Sequence, residues 1–377
     1  MILNEDQRLI RDAVRDYVNG EIKPHAARWD REKIFPRDAL KGLAALGCFG
    51  IAVPESLGGA GLDYTSLAIM LEEIAAGDGA TSTIISVNNC PVCSILLTWA
   101  NDEQQQRWLR PLASGELLGA FCLTEPHVGS EAGGLTTSAE LQGDQYVLNG
   151  VKQFITSGKN ADLAIVMAVT DPTAGKRGIS AFVVPTVTPG YEVVSLENKL
   201  GQHASDTAQI RFNHCTVPAS HLLGQPGQGL KIALSGLEGG RIGIAAQALG
   251  MARAAFEAGL SYAHERHAFG KAIFEHQSVQ FRLADMATQL EAARQLIAHA
   301  AALKDAGEPC LKEAAMAKLF ASEMAEKVCS DAIQIHGGYG YLADFPVERI
   351  YRDVRVCQIY EGTSDIQKIL IGRALAS

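Results

Sequence analysis

Near the C-terminus, Val356-Cys357-Gln358-Ile359-Tyr360-Glu361-Gly362-Thr363-Ser364-Asp365-Ile366-Gln367 carries one carboxylate out of an apolar run and onto a Gly-Thr-Ser turn. Beyond the turn Ile366, Ile369, Leu370 and Leu375 recur at helical spacing, so Glu361 is expected just ahead of a helix. Ser364 with Gln367 three residues later has the form of a capping box, and Gly362 lets the backbone bend tightly or approach a ligand. A carboxylate held on such a turn can serve as a general base. Taken alone, the same residues also read as a solvated loop Glu before a well-capped helix, because charged side chains mostly stay exposed. Cys90-Pro91-Val92-Cys93 has the spacing of a redox pair or half a zinc site, but no second pair stands at zinc-finger spacing, so core packing and no metal are expected. No Gly-x-Gly-x-x-Gly lies between an early strand and a helix, which disfavours a nicotinamide site of the Rossmann type.

The elements that must position these groups change period twice along the chain. The first ~115 residues read as helices: Asn4 can cap a helix whose Leu9, Ile10, Ala13, Val14, Tyr17 and Val18 form one apolar stripe. A glycine-rich loop at 54–61 precedes a helix carrying Leu67, Met70, Leu71 and Ile74. From about 117 to 223 the period becomes that of strands, with buried runs at 163–169 and 179–184 and an alternating one at 207–212. Asn149-Gly150, flanked by Tyr146-Val147-Leu148 and Val151-Lys152-Gln153-Phe154-Ile155, is a strong hairpin signal. After a breaker cluster at 223–229, Val279, Leu283, Met286, Leu290, Ala293 and Ile297 return to helical spacing, and Met316, Leu319 and Met324 follow on another helix. The expected fold class is multidomain α and β: an N-terminal helical domain (1–116), a β-barrel-like middle domain (117–224) and a C-terminal four-helix bundle (225–377).

At 377 residues, several domains around large cores are expected. A net charge of −9 argues against nucleic acid or an anionic membrane surface as the main partner. No apolar run is expected to reach the ~20 residues that span a bilayer, and the acidic start does not read as a targeting peptide, so cytoplasm, or the matrix after processing, is the expected compartment. The eight cysteines, scattered among apolar neighbours, read as buried free thiols.

Tyr360 to Gln367 resembles the C-terminal signature of the acyl-CoA dehydrogenase family, in which the Glu removes the α-proton of an acyl-CoA. Ala120-Phe121-Cys122-Leu123-Thr124-Glu125-Pro126-His127-Val128-Gly129-Ser130-Glu131 resembles the same family's flavin-binding segment. The likeness runs from the first helix to residue 373. It implies that Phe121, Cys122, Leu123 and Thr124 meet the isoalloxazine of FAD, Ser130 its pyrophosphate and the CoA, and Phe154-Ile155-Thr156 the region of flavin N5. Arg266, Phe269, His276, Gln277, Gln334, Ile335, Gly337 and Gly338 resemble segments that hold the FAD diphosphate and adenosine across a subunit interface, which implies a homotetramer built as a dimer of dimers. Thr363, Ser364 and Asp365 also fall to the cofactor. Glu238, Arg241, Tyr360, Gly362 and Arg373 fall to the substrate, with Glu238 to Arg241 at the family's "D-x-x-R".

The implied reaction is α,β-dehydrogenation: Glu361 takes the α-proton, a hydride passes to flavin N5, and electron-transferring flavoprotein reoxidises the enzyme. An acyl-CoA oxidase and a flavin-free scaffold of the same fold are the alternatives. Phe154 for the usual Trp, Glu131 and Glu238 for Asp, and His203 for Arg depart from the family pattern. Relatives that accept a dicarboxylic tail place an Arg in the stretch matching 81–87, and this chain has no Arg between Arg37 and Arg107. Likeness to short-chain members at Ser86-Val87-Asn88-Asn89 and at residues 240–250 points to butyryl-, isobutyryl- or 2-methylbutyryl-CoA. Other relatives carry their base at the position of Gly240. Glu238, two residues earlier and about 200° round a helix, should point away from that position.

Overall fold

The computed structural model describes residues 3–376. Asn4 and Gln7 cap each other reciprocally at the start of the helix Glu5–Tyr17. The buried face of this helix is narrower than its pattern: Val14 and Val18 are buried and Ile10 and Tyr17 border the core, while Leu9 is 63% exposed and Ala13 is also exposed. The helix Tyr64–Gly77 buries Leu67, Met70, Leu71 and Ile74 as their spacing requires. Contrary to expectation, the run Gly79–Trp99 is long and apolar enough to cross a membrane, with 21 residues and a mean hydropathy of 1.3. In its apolar window 83% is buried inside the protein, where it packs as core.

The middle region is an eight-stranded sheet in the order β6-β7-β3-β2-β4-β5-β8, with β1 also paired to β4. Its strands are β1 (Gly119–Cys122), β2 (Ser138–Gln142), β3 (Gln145–Thr156), β4 (Leu163–Val169), β5 (Ile179–Pro185), β6 (Tyr191–Leu196), β7 (Thr207–Pro218) and β8 (Leu222–Leu223). Asn149-Gly150 does not form a hairpin turn; it lies inside β3. The β2–β3 turn is instead Gly143-Asp144, with Gln142 paired to Gln145 and Gly143 at φ +65°. Tertiary pairing overrides the local signal because β3 is held on one edge by β2 and on the other by β7. Gly150 is needed for close approach, since a Cβ there would stand 2.5 Å from Thr137 Oγ1. A second irregularity in β3, between Lys152 and Ile155, puts Phe154 at φ +59° and turns its ring outward, 62% exposed.

Three long helices, Gly229–Glu265, Gln277–Asp305 and Leu311–His336, pack together, and Ser364–Leu375 packs along the last of them. Leu283, Met286, Leu290, Ala293 and Ile297 are buried as their period predicts, with Val279 at the border. The N-terminal helices are tied to this bundle by charge. Asp305, at the end of its helix, accepts the Tyr64 and Thr65 N–H groups at the N-terminus of Tyr64–Gly77, beside the cap made by Asp63. Arg253 bridges Glu72 and Glu73, which Arg294 and Arg15 also bind. All eight cysteines are buried and free.

Candidate active site

Glu361 lies between a 3-10 turn, Arg355–Gln358, and the helix Ser364–Leu375. The cap of that helix is Thr363, whose hydroxyl accepts the Ile366 N–H, and not Ser364 as the spacing suggested. Gln367 is turned to another use: its amide donates to the Glu361 and Gly362 carbonyls, since the chain doubles back here with Glu361 at φ +52° and Gly362 at φ +92°. This conformation carries the Glu361 carboxylate across to the Gly229–Glu265 helix, directly over Gly240. A Cβ on Gly240 would stand 2.1 Å from Glu361 Oε2, so the carboxylate occupies the space a side chain at 240 would need. Oε2 is buried without a hydrogen-bond partner among the described residues. Burial pushes the carboxyl up to about 7, opposed by the positive charges of Arg241 and Lys318. Arg241 is buried, and its Nε also lacks a partner. Glu238 faces Lys304, with Oε1 2.7 Å from the ammonium, and so points away from the carboxylate as helix geometry predicts.

Apart from Tyr360 and Gly362, sequence reasoning passed over the groups that hold this turn. Tyr360 donates to Gln247 Oε1 at 2.7 Å, and Gln247 donates in turn to Thr83 and to the Gly79 carbonyl. Thr83 donates to Gln202, whose N–H reaches Asp353, so buried hydrogen bonds join all three regions beside the Glu361 turn. Lys318, wholly buried, donates to the Gly362 carbonyl at 2.7 Å. The available signal was a lysine inside the apolar face of a helix.

A second group of predicted residues meets at one corner of the sheet. The Gln153 N–H donates to the Thr124 carbonyl, bringing the segment after β1 against the β3 bulge, so Thr124, Phe154 and Thr156 are neighbours in space. Phe121, Thr124 and Thr156 are half-buried and Ser130 is exposed. Cys122, Leu123 and Ile155 are buried in the core, so only their backbone can meet a ligand. Glu125, read only as part of a motif, is the strut of this corner: it accepts the Thr136 and Thr137 N–H groups and the ammonium of Lys152 at 2.9 Å. Those partners hold its carboxyl down at about 2 despite burial.

A third group lines a cavity of about 400 Å³ at the far ends of two long helices. Arg266, Ile335, Gly337 and Gly338 lie around it with Tyr262 and Tyr339, and the Arg266 guanidinium sits 5.7 Å from the Tyr339 ring centroid. A Cβ at Gly337 or Gly338 would meet nothing, which leaves the backbone there open to close approach. Gln334 and Gln277 are exposed beside it. Phe269 is 95% exposed on a tight turn, and His276 bonds the Ala268 carbonyl.

The chain matches three family models in order: the acyl-CoA dehydrogenase N-terminal domain over residues 4–116, the middle domain over 120–215 and the C-terminal domain over 227–376. This chain belongs to the acyl-CoA dehydrogenase family. It is 47% identical over 369 residues to the mitochondrial short-chain specific acyl-CoA dehydrogenase of Rattus norvegicus, covering 98% of this chain and 90% of the relative. Butyryl-CoA dehydrogenase from Megasphaera elsdenii superposes with a TM-score of 0.97 at 39% identity, covering 100% of both chains. A chain from work on the electron transferring flavoprotein of Acidaminococcus fermentans superposes with a TM-score of 0.98 at 44% identity, covering 100% of this chain and 99% of that one.

Acyl-CoA dehydrogenases are FAD-dependent oxidoreductases, and the residues present fit that cofactor. The fit rests on two features: an open cavity with a cation, aromatic walls and two bare glycines, and a sheet corner that presents two threonines beside an outward-facing aromatic ring. Of the remaining predicted residues, Asp365 and Arg373 are exposed on the last helix, and Ser364 Oγ is buried without a partner. His203, in place of Arg, bonds Asp30 at 2.9 Å, and Asp30 also holds Arg352. That departure therefore falls on a contact between the middle region and the N-terminal helices.

Proposed function

We propose that the protein dehydrogenates a short, uncharged acyl-CoA at its α and β carbons, with Glu361 as the only base. The supporting observation is the partnerless Glu361 carboxylate over a helix position that has no side chain. An acyl α-proton is weakly acidic, so its removal needs a base whose proton affinity lies near the working pH and a donor for the enolate charge as it develops. Burial supplies the first by lifting Glu361 to about 7. The Glu361 backbone N–H, at the same turn, is the group we assign to the second. FAD, when bound, supplies the two-electron acceptor. We assign Thr124, Thr156 and Phe154 to its ring, Arg266 with Gly337 and Gly338 to its phosphates, and electron-transferring flavoprotein to its reoxidation.

One turn beyond Gly240 the helix packs closely, since a Cβ on Gly243 would stand 3.0 Å from Ser86 Oγ and 3.1 Å from Leu71 Cδ1. Residues 79–86 are all buried and none is cationic, which leaves a tail carboxylate without a partner at a cost of several kcal/mol. The deciding experiment is anaerobic addition of straight, branched and dicarboxylic acyl-CoAs to wild type and to Glu361→Gln, following loss of flavin absorbance. Butyryl-CoA or a branched four- or five-carbon ester should bleach wild type fastest, and Glu361→Gln should bind FAD and ester yet bleach about 10³-fold or more slowly. Acetyl-CoA, which has α-hydrogens and no β-carbon, should exchange them with D₂O only in wild type. Preference for glutaryl-CoA or a long chain would overturn the substrate, a fast Glu361→Gln would overturn the base, and peroxide at turnover rates would mark an oxidase.

A further inference from the structure

Lys318 belongs to none of the motifs, yet it is the most deeply buried cation near the turn. It lies on the Leu311–His336 helix among Ala314, Ala315, Ala317 and Ala321, all buried, where an apolar side chain would pack without the cost of desolvating an ammonium. No carboxylate lies within salt-bridge distance of it among the described residues. Its ammonium instead donates to the Gly362 carbonyl at 2.7 Å, and the Gln367 amide donates to the same oxygen at 2.8 Å. Two successive residues at positive φ, one of them a glutamate, persist only where the surroundings hold them, and the left-handed conformation costs a non-glycine residue about 1–2 kcal/mol. These two donors hold the Gly362 carbonyl.

We infer that Lys318 is a positioning residue of the reaction: it anchors the Gly362 carbonyl, keeps the Glu361 carboxylate over Gly240, and sets a positive charge behind it. The inference rests on Glu361 being the base. The other charged or titratable groups facing the turn do not replace it. Arg241, on the Gly229–Glu265 helix, lowers the proton affinity of Glu361 more than Lys318 does, but makes no hydrogen bond to the turn among the described residues. Glu238 is neutralised by Lys304, and Glu323 stands 3.5 Å from Lys368. Cys90, Cys357 and Tyr360 are kept protonated by burial. Removing the lysine charge should therefore raise the proton affinity of Glu361 further and move the acid limb of the rate profile to higher pH.

Lys318→Met removes both bond and charge, while Lys318→Gln keeps a donor and removes only the charge. Each is measured as holoenzyme for flavin content, butyryl-CoA affinity, anaerobic bleaching by butyryl-CoA across pH, and α-hydrogen exchange of acetyl-CoA in D₂O. Lys318→Met should keep its flavin and bind butyryl-CoA within about 3-fold, yet bleach and exchange about 10- to 100-fold more slowly, with the acid limb raised by about half a pH unit or more. Lys318→Gln should recover much of the rate at high pH while its limb stays raised. A folded variant of either kind with the wild-type rate and limb overturns the assignment, and so does failure of both to fold, which would make Lys318 structural only. A Glu361→Gln enzyme that bleached at the wild-type rate would instead defeat the reading of the base, whatever Lys318 does.

Discussion

Burial lifts the Glu361 carboxyl from an ordinary value of 4.5 to about 7, so between those values the folded protein keeps a proton that the unfolded chain has released. Stability from this group is therefore fully present below the unfolded value and is lost as pH rises through the folded one. Asp353, pushed up to about 7 by burial despite Arg349, pulls in the same direction and must be cancelled by comparison with wild type. Glu361→Gln removes the ionisation of one group only. It should melt at higher temperature than wild type at pH 8, by at most about 3 kcal/mol of stability, and the gap should close towards pH 4.5. Calorimetry at several pH values checks this, and a gap independent of pH would show that Glu361 titrates normally. The carboxylate proposed as the base is then a cost to folding, relieved when it is protonated.

Among the elements, the Gly229–Glu265 helix matters most because it meets the Glu361 carboxylate through a position with no side chain. Exchanging a helical Gly for Ala ordinarily stabilises by about 0.8–1 kcal/mol, and Gly240 lies in the helix interior. Here the added methyl would fall 2.1 Å from Glu361 Oε2 and displace the carboxylate. Gly240→Ala should therefore keep or raise its melting temperature while losing about 10-fold or more in kcat, read by steady-state assay beside thermal denaturation. An unchanged kcat would mean that the carboxylate works from another place. Stability and activity part company because the clash lands on the Glu361 carboxylate and spares the apolar core.

At the scale of the whole molecule, Gly240 and Arg266 are separated by 26 positions on one helix, about 39 Å at 1.5 Å per residue. A single FAD with its ring near Glu361 does not reach the Arg266 cavity of the same subunit, which supports the proposal that this cavity serves a neighbour's cofactor. Phe269, 95% exposed, and Tyr341, 87% exposed, suit an assembled form better than an isolated chain. FAD that binds only the assembly stabilises it by mass action. Arg266→Ala should lower flavin content and shift sedimentation towards smaller species together. A fully flavin-loaded tetramer from that variant would make the segment structural only.

Local chemistry and periodicity were enough to place Glu361 before a helix, to cap the first helix at Asn4, to bury Leu283 through Ile297 on one face, and to order the helical, β and helical regions. Each of these is decided by neighbours a few residues apart, which is the range over which capping and amphipathic spacing act. Where a distant partner intervened, the local signal failed. Asn149-Gly150 is drawn into a long strand by pairing with β2 and β7, Thr363 takes the cap because Gln367 is needed by two carbonyls, and Leu9 finds no element to cover it. The left-handed turn of Glu361, its place over Gly240 and the buried ammonium behind it join residues 43 to 121 positions apart, and only tertiary packing brings such groups into contact and out of water. The candidate base was thus readable along the chain, while its proton affinity was set by the fold, because desolvation and neighbouring charge exist only once the chain has closed around it.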